Sequence, residues 1–150
     1  MPKLICLALF ASALFAESPL VGTWKLDPTK SKYSTGNGPK NLTVVTEEKD
    51  GDLQITATGT AADGTPISVK FTVPEKGGAG KVLEGTAEYD GITAKPVTGN
   101  VLDTTTTKNG KEVATRHTVV SKDGKTVRST VKGINAQGNP VSATEVFEKQ

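Results

Sequence analysis

The sequence predicts an all-β chain: an antiparallel up-and-down meander of nine or ten strands that closes, or nearly closes, into a barrel, with a two-sheet sandwich as the alternative. Two observations predict it. From Gly22 onward, stretches of five to ten residues rich in Thr and Val are separated by short glycine-containing turns at Asp50-Gly51, Asp63-Gly64, Asp90-Gly91, Asn109-Gly110, Asp123-Gly124 and Gln137-Gly138. Such pairs between extended segments are the strongest local signal of a hairpin. The β-branched residues also alternate with polar ones instead of recurring every three or four, so no helix is expected in this part of the chain.

The strands are expected near 22–27, 41–48, 52–60, 66–73, 82–89, 92–98, 100–107, 111–120, 125–134 and 141–149. Two breaks interrupt the meander. Residues 27–40, with Pro28, Gly36, Gly38 and Pro39, read as a long connection or arm, and residues 74–81, with Gly77-Gly78-Ala79-Gly80, as a mobile loop. One internal repeat is visible, Gly59 to Ser68 against Gly133 to Ser142, matched at both glycines, one Ala, the Pro and the Ser. Shared turn chemistry accounts for it more simply than duplication.

Ahead of the meander, Met1-Pro2-Lys3 is followed by an apolar run, Leu4 to Phe15, with small residues at Ala11, Ala13 and Ala16. This is the layout of a cleavable secretory signal over residues 1–16, and the run is too short to remain as a membrane span. Residues 17–150 are then a single domain, exported to the periplasm or outside the cell, with no transmembrane segment after cleavage. The single cysteine, Cys6, would leave with the signal, so the mature chain would carry no disulfide, thiolate metal site or cysteine nucleophile. The net charge of +2 is scattered without a basic run, which argues against a nucleic-acid partner. A monomer is expected.

Turn length sorts the faces, because one residue of slip exchanges them. A three-residue loop at Ala62 to Gly64 gathers Ile67, Val69, Phe71 and Val73 with Gly59, Ala57, Ile55 and Leu53. Applied to Lys122-Asp123-Gly124, the same loop turns Val113, Thr115, His117, Val119, Val127, Ser129 and Val131 inward, and Arg116 and Arg128 outward. A two-residue loop would instead place Arg116 among Val120, Val127 and Val131, with His117 outside. The inward set is short of bulk, so the interior is either narrow or partly filled by water or ligand.

The parts of an enzyme are scarce. His117 is the only histidine, with Asp103 on the preceding expected strand as its nearest acidic candidate, and no nucleophile-elbow, zincin, phosphate-loop or dinucleotide motif occurs. Asp50, Asp63, Asp90 and Asp123 fall in turns, where Asp bonds its own backbone. Glu47, Glu48, Asp50 and Asp52 lack the ordered spacing of a calcium loop and read as a solvated face. The run Thr104 to Thr107 reads as a solvated strand, and Asn41-Leu42-Thr43 matches a glycan acceptor. No metal and no cofactor are expected.

Gly22-Thr23-Trp24-Lys25-Leu26 at the first strand of a meander resembles the calycin superfamily, the lipocalins and fatty-acid-binding proteins. The resemblance implies that Trp24 packs across the closed end of a barrel, with Lys149 or Arg128 as a basic partner. A likeness covering most of residues 17–150 carries further. With Lys30-Ser31-Lys32-Tyr33, Ala62-Asp63-Gly64, Tyr89-Asp90-Gly91, Pro96-Val97-Thr98-Gly99-Asn100, Val120 to Lys125 and Asn135 to Gly138, the chain is similar to small secreted bacterial lipocalin-like proteins. That likeness implies fold and compartment and assigns no functional residue; Ile92-Thr93-Ala94-Lys95 stands where such proteins tend to carry an aromatic.

The expectation is therefore a non-enzymatic, exported lipocalin-like protein that holds a small apolar or amphipathic ligand, lined by Trp24, Val69, Phe71, His117, Val119 and Val131. Arg116 and Arg128 are the alternative partners for a ligand carboxylate, as an inward Arg is in fatty-acid-binding barrels. The alternative function is a structural or protein-interaction domain of the envelope with no internal ligand.

Overall fold

The computed structural model describes residues 16–150 apart from Thr86. Residues 1–15 of the expected signal lie outside the described residues. Among the described residues all regular structure is β, in twelve strands: β1 (Gly22–Leu26), β2 (Lys32–Tyr33), β3 (Asn41–Lys49), β4 (Asp52–Thr60), β5 (Pro66–Pro74), β6 (Gly78–Ala79), β7 (Lys81–Glu84), β8 (Gly91–Ala94), β9 (Val101–Lys108), β10 (Lys111–Val120), β11 (Thr126–Ile134) and β12 (Pro140–Lys149). Every pairing is antiparallel, in the order β6-β8-β9-β10-β11-β12-β1-β3-β4-β5-β7, with β2 beside β12.

The sheet curls into a nearly closed barrel because β6 and β7 are two ends of one bent stave. β6 pairs with β8, β7 pairs with β5, and only Gly80 separates them. A Cβ at Gly80 would sit 2.1 Å from the Thr72 carbonyl oxygen, so only glycine lets the stave change partners this close to β5. The Gly80 amide bonds the Ile92 carbonyl at 2.9 Å, and the Val97 amide bonds the Glu75 carbonyl across the same seam at 2.8 Å. The segment expected to be a mobile loop is thus the closing element.

The other expected break is also part of the wall. After β1, Asp27 takes hydrogen bonds from the Thr29 amide and hydroxyl, and the Ser31 hydroxyl bonds the Asp27 carbonyl. This bulge hands the chain to β2, which runs on along the β12 edge; Ser31 Oγ and Ser34 Oγ accept from the Val146 and Ser142 amides at 3.0 and 2.8 Å. β12 therefore meets β1 near its end and β2 near its middle.

One end of the barrel is packed solid. Leu20, Trp24, Leu53, Val73, Leu102, Val120, Val127 and Phe147 are buried there. The Trp24 indole N–H donates to the Leu20 carbonyl at 3.0 Å, and the Lys149 ammonium stands 5.5 Å from the ring centre. Lys149 is thus the basic partner of the tryptophan, whereas Arg128 is exposed on β11. The glycine of Gly-x-Trp also has a reason: Gly22 has φ +144°, and a Cβ there would press on Lys149 Cε at 3.1 Å.

Candidate functional site

The inward-facing residues of the other half range from buried to half-buried, and they divide by wall. On β4, β5 and β7 they are apolar: Ile55, Ala57, Ile67, Val69, Phe71 and Val82. On β9 to β12 alternation turns Thr104, Thr106, Arg116, Thr118, Ser129, Val131, Ala143 and Glu145 inward. With 78–84 counted as one stave, β10 lies five places from β4 in either direction round the sheet, so a polar wall faces an apolar one.

The register of β10 and β11 decides which charges enter. Ser121 pairs with Thr126 through the Ser121 amide and Thr126 carbonyl at 2.8 Å, leaving a four-residue loop, Lys122 to Lys125. Asp123 fixes it by accepting from the Ser121 hydroxyl and the Lys125 amide. The four-residue loop has the parity of the two-residue alternative: Val120 stands opposite Val127, Thr118 opposite Ser129 and Arg116 opposite Val131. The preferred three-residue register is therefore corrected, and with it the faces of His117 and Arg116.

His117 is on the outside, its side chain 56% exposed, with Nδ1 2.6 Å from Asp103 Oδ1 on β9. Val119 is outside too, between Arg128 and Val101. Trp24 belongs to the packed end, Val69 is buried in the apolar wall, and Phe71 is half-buried beside it. Val131 faces inward next to Arg116 and Ala143. Arg128 is outside and exposed. The threonine run divides by alternation, with Thr104 buried in the interior rather than solvated.

Two side chains not expected at the site, Glu145 and Tyr33, complete it around Arg116. Arg116 Nη1 donates to Glu145 Oε2 at 2.5 Å, and the Tyr33 hydroxyl donates to Glu145 Oε1 at 3.3 Å. Glu145 is 6% exposed, so its carboxylate is removed from water and held by these two donors. Tyr33 is brought over it by β2, and the chain then passes so close to its ring that a Cβ at Gly38 would lie 2.0 Å from it. Burial, reinforced by the Glu145 charge and hydrogen bond and opposed by Arg116, pushes the Tyr33 hydroxyl far up, so it remains a donor at neutral pH. Tyr89, in the segment leading to β8, is raised by burial against the opposing field of Arg116, with Glu88 adding to the rise.

Glu145 had a signal in the sequence. It shares a face with Val141, Ala143 and Phe147 on β12, and a carboxylate in an apolar alternation calls for an inward partner. Nearby, Thr118 and Ser129 hydroxyls bond each other at 2.9 Å. No cluster of three or more His, Cys, Asp or Glu side chains fit to hold a metal occurs among the described residues, and no helix long and apolar enough to cross a membrane occurs among them.

A meander barrel packed over a first-strand tryptophan at one end and half-open over a mixed interior at the other has the calycin-like fold. No protein-family model and no curated protein matches the chain. Among solved structures it is similar to zebrafish ileal bile acid-binding protein in complex with cholic acid, at 14% identity and a TM-score of 0.50, over 89% of this chain and 100% of that one. It is also similar to Rv2717c of M. tuberculosis, at 20% identity and a TM-score of 0.49, over 89% and 94% of the two chains. A redesigned β-barrel, mFAP1, bound to DFHBI, aligns at 14% identity and 0.43 over 87% and 95%. At 14% identity and a TM-score of 0.50, the likeness to the zebrafish protein shows the fold alone.

Proposed function

We propose that the protein is an exported, non-catalytic carrier or sensor that holds one small amphipathic molecule in the half-open end of its barrel. The carrying observation is the divided interior: Ile67, Phe71 and Val82 on one wall face the Arg116–Glu145–Tyr33 cluster on the other. An apolar body would bury against the first wall, at roughly 25 cal/mol per Å² removed from water, while a polar group would meet hydrogen-bonding side chains on the second. The zebrafish protein, captured with cholic acid, supports the idea that a barrel of this form encloses such a molecule.

Native mass spectrometry of protein purified from its own host, followed by titration with a panel of lipids, tests the reading. A co-purifying ligand or one-to-one uptake is expected, with uptake weakened at least tenfold in Phe71→Asp. If no member of the panel binds and no ligand co-purifies, the reading fails. The alternative, an envelope interaction domain without an internal ligand, draws support from Leu83 and Ile134, the two large apolar side chains left about half-exposed among the described residues. Capture of an envelope protein by wild type but not by a Leu83→Ser/Ile134→Ser variant would favour it.

A further inference from the structure

We infer that the barrel selects an uncharged amphiphile, one whose head carries a hydroxyl, ester or ketone oxygen, and discriminates against carboxylates. The inference rests on the ligand-binding reading above and deepens it. Its ground is the charge balance of the polar wall. Arg116, the arginine that faces inward, is already compensated: its Nη1 donates to Glu145, whose other oxygen is taken by Tyr33. Glu145 is almost fully buried and its two oxygens are both engaged, so it is a fixed part of the wall and not a loose side chain that swings away when a ligand enters.

The other cations near the interior are committed elsewhere. Lys149 stands over Trp24 at the packed end, and Lys108 at the rim is 4.0 Å from Asp90. Inward polar groups close to Arg116 include Thr104, Thr106, Thr118 and Ser129, hydroxyls without charge. A ligand carboxylate entering this wall would find a guanidinium whose charge is spent and a buried carboxylate a few ångströms beyond it. The attraction of the first and the repulsion of the second largely cancel, while the desolvation cost of the ligand's own charge stands. A neutral oxygen escapes that cost. It can accept from the guanidinium N–H groups that Glu145 does not occupy, since a guanidinium has five, and a hydroxyl can donate to the threonine and serine oxygens. Both tyrosines stay protonated at neutral pH and leave this balance unchanged.

The experiment is displacement of a neutral, environment-sensitive reporter, N-phenyl-1-naphthylamine, at pH 7.5 by three molecules with the same chain: dodecanol, methyl dodecanoate and dodecanoate. Dodecanol and the ester are expected to displace it at concentrations at least tenfold lower than dodecanoate. In Glu145→Gln the charge of Arg116 is released, and the ranking should move toward dodecanoate by tenfold or more. Adding Arg116→Gln to that variant should cancel the move. If wild type takes dodecanoate as well as or better than dodecanol, the inference is overturned while ligand binding stands. If neither the reporter nor any of the three binds, the ligand-binding reading fails and this inference with it. The wild-type ranking decides the matter even if Glu145→Gln proves too unstable to assay.

Discussion

Replacing Arg116 with leucine isolates what the inward ion pair contributes to the fold. The substitution leaves the Glu145 carboxylate, 6% exposed, with only the Tyr33 hydroxyl at 3.3 Å. Removing one member of a fully buried pair costs about 3–5 kcal/mol, because the survivor is an uncompensated buried charge. The Arg116 side chain is 40% exposed, so water reaches this pair and shares the loss. We therefore expect about 2 kcal/mol, toward the weaker end set by exposed pairs. With a urea dependence of roughly 2 kcal/mol per molar, the unfolding midpoint should fall by about 1 M. The decisive comparison is Arg116→Leu/Glu145→Leu, which removes both charges and should return to within about 1 kcal/mol of wild type. If the double variant is as unstable as Arg116→Leu alone, the loss comes from packing around the arginine stem and the buried-charge argument is wrong.

Four further outcomes are expected. Trp24→Ala should lose about 3–5 kcal/mol in the same urea assay, since it empties the packed end and strands the Leu20 carbonyl; Lys149→Met should cost no more than about 1 kcal/mol. Gly80→Val should strip amide-exchange protection from β6 and β7 while the β10–β12 amides keep theirs, because its Cβ collides with the Thr72 carbonyl. Glu75→Gln should be more stable than wild type at pH 7, and its advantage should shrink as the pH falls. Burial, helped by the Glu48 charge, raises the Glu75 carboxyl, whose Oε1 is buried without a partner among the described residues. A raised acid binds its proton more tightly folded than unfolded, so wild type gains stability as pH drops through the raised value toward the ordinary carboxylate range. Urea midpoints of both proteins at pH 7 and pH 5 check the sign.

How far the sequence could be read depended on turn length. At Ala62-Asp63-Gly64 the three-residue loop occurs as expected, with Gly64 at φ +93° and Asp63 accepting from the Thr65 amide and hydroxyl, and every inward residue of β4 and β5 follows. The repeat is real in three dimensions as well. Asn135 pairs with Asn139 around Ala136-Gln137-Gly138 as Ala61 does with Thr65, and Gly59 and Gly133 each lie so close to a neighbouring strand that a Cβ would meet a carbonyl oxygen, of Asn41 and Val113. At Asp123-Gly124 the same dipeptide holds the same second and third loop positions, but one further residue, Lys125, follows it before Thr126 pairs with Ser121, so the loop has four residues. That single difference exchanged His117 for Arg116. The short β2 and β6 were illegible for another reason: β2 owes its form to a partner far along the chain, and β6 to a change of partner at Gly80 that only glycine allows, neither of which a local pattern encodes.

The pairings of β12 with β1 and with β2 are where this meander stops being local. Most other neighbours in the sheet are joined by turns of a few residues, and hairpins of that kind form in about 1–10 μs. β1 and β12, by contrast, join residues over 100 positions apart, so they meet only after a large loss of chain entropy. The hairpins are therefore expected to assemble as an open ribbon first, the barrel following once Trp24 meets Lys149 and the glycine stave reaches β8. On that order the divided interior is acquired last, with closure.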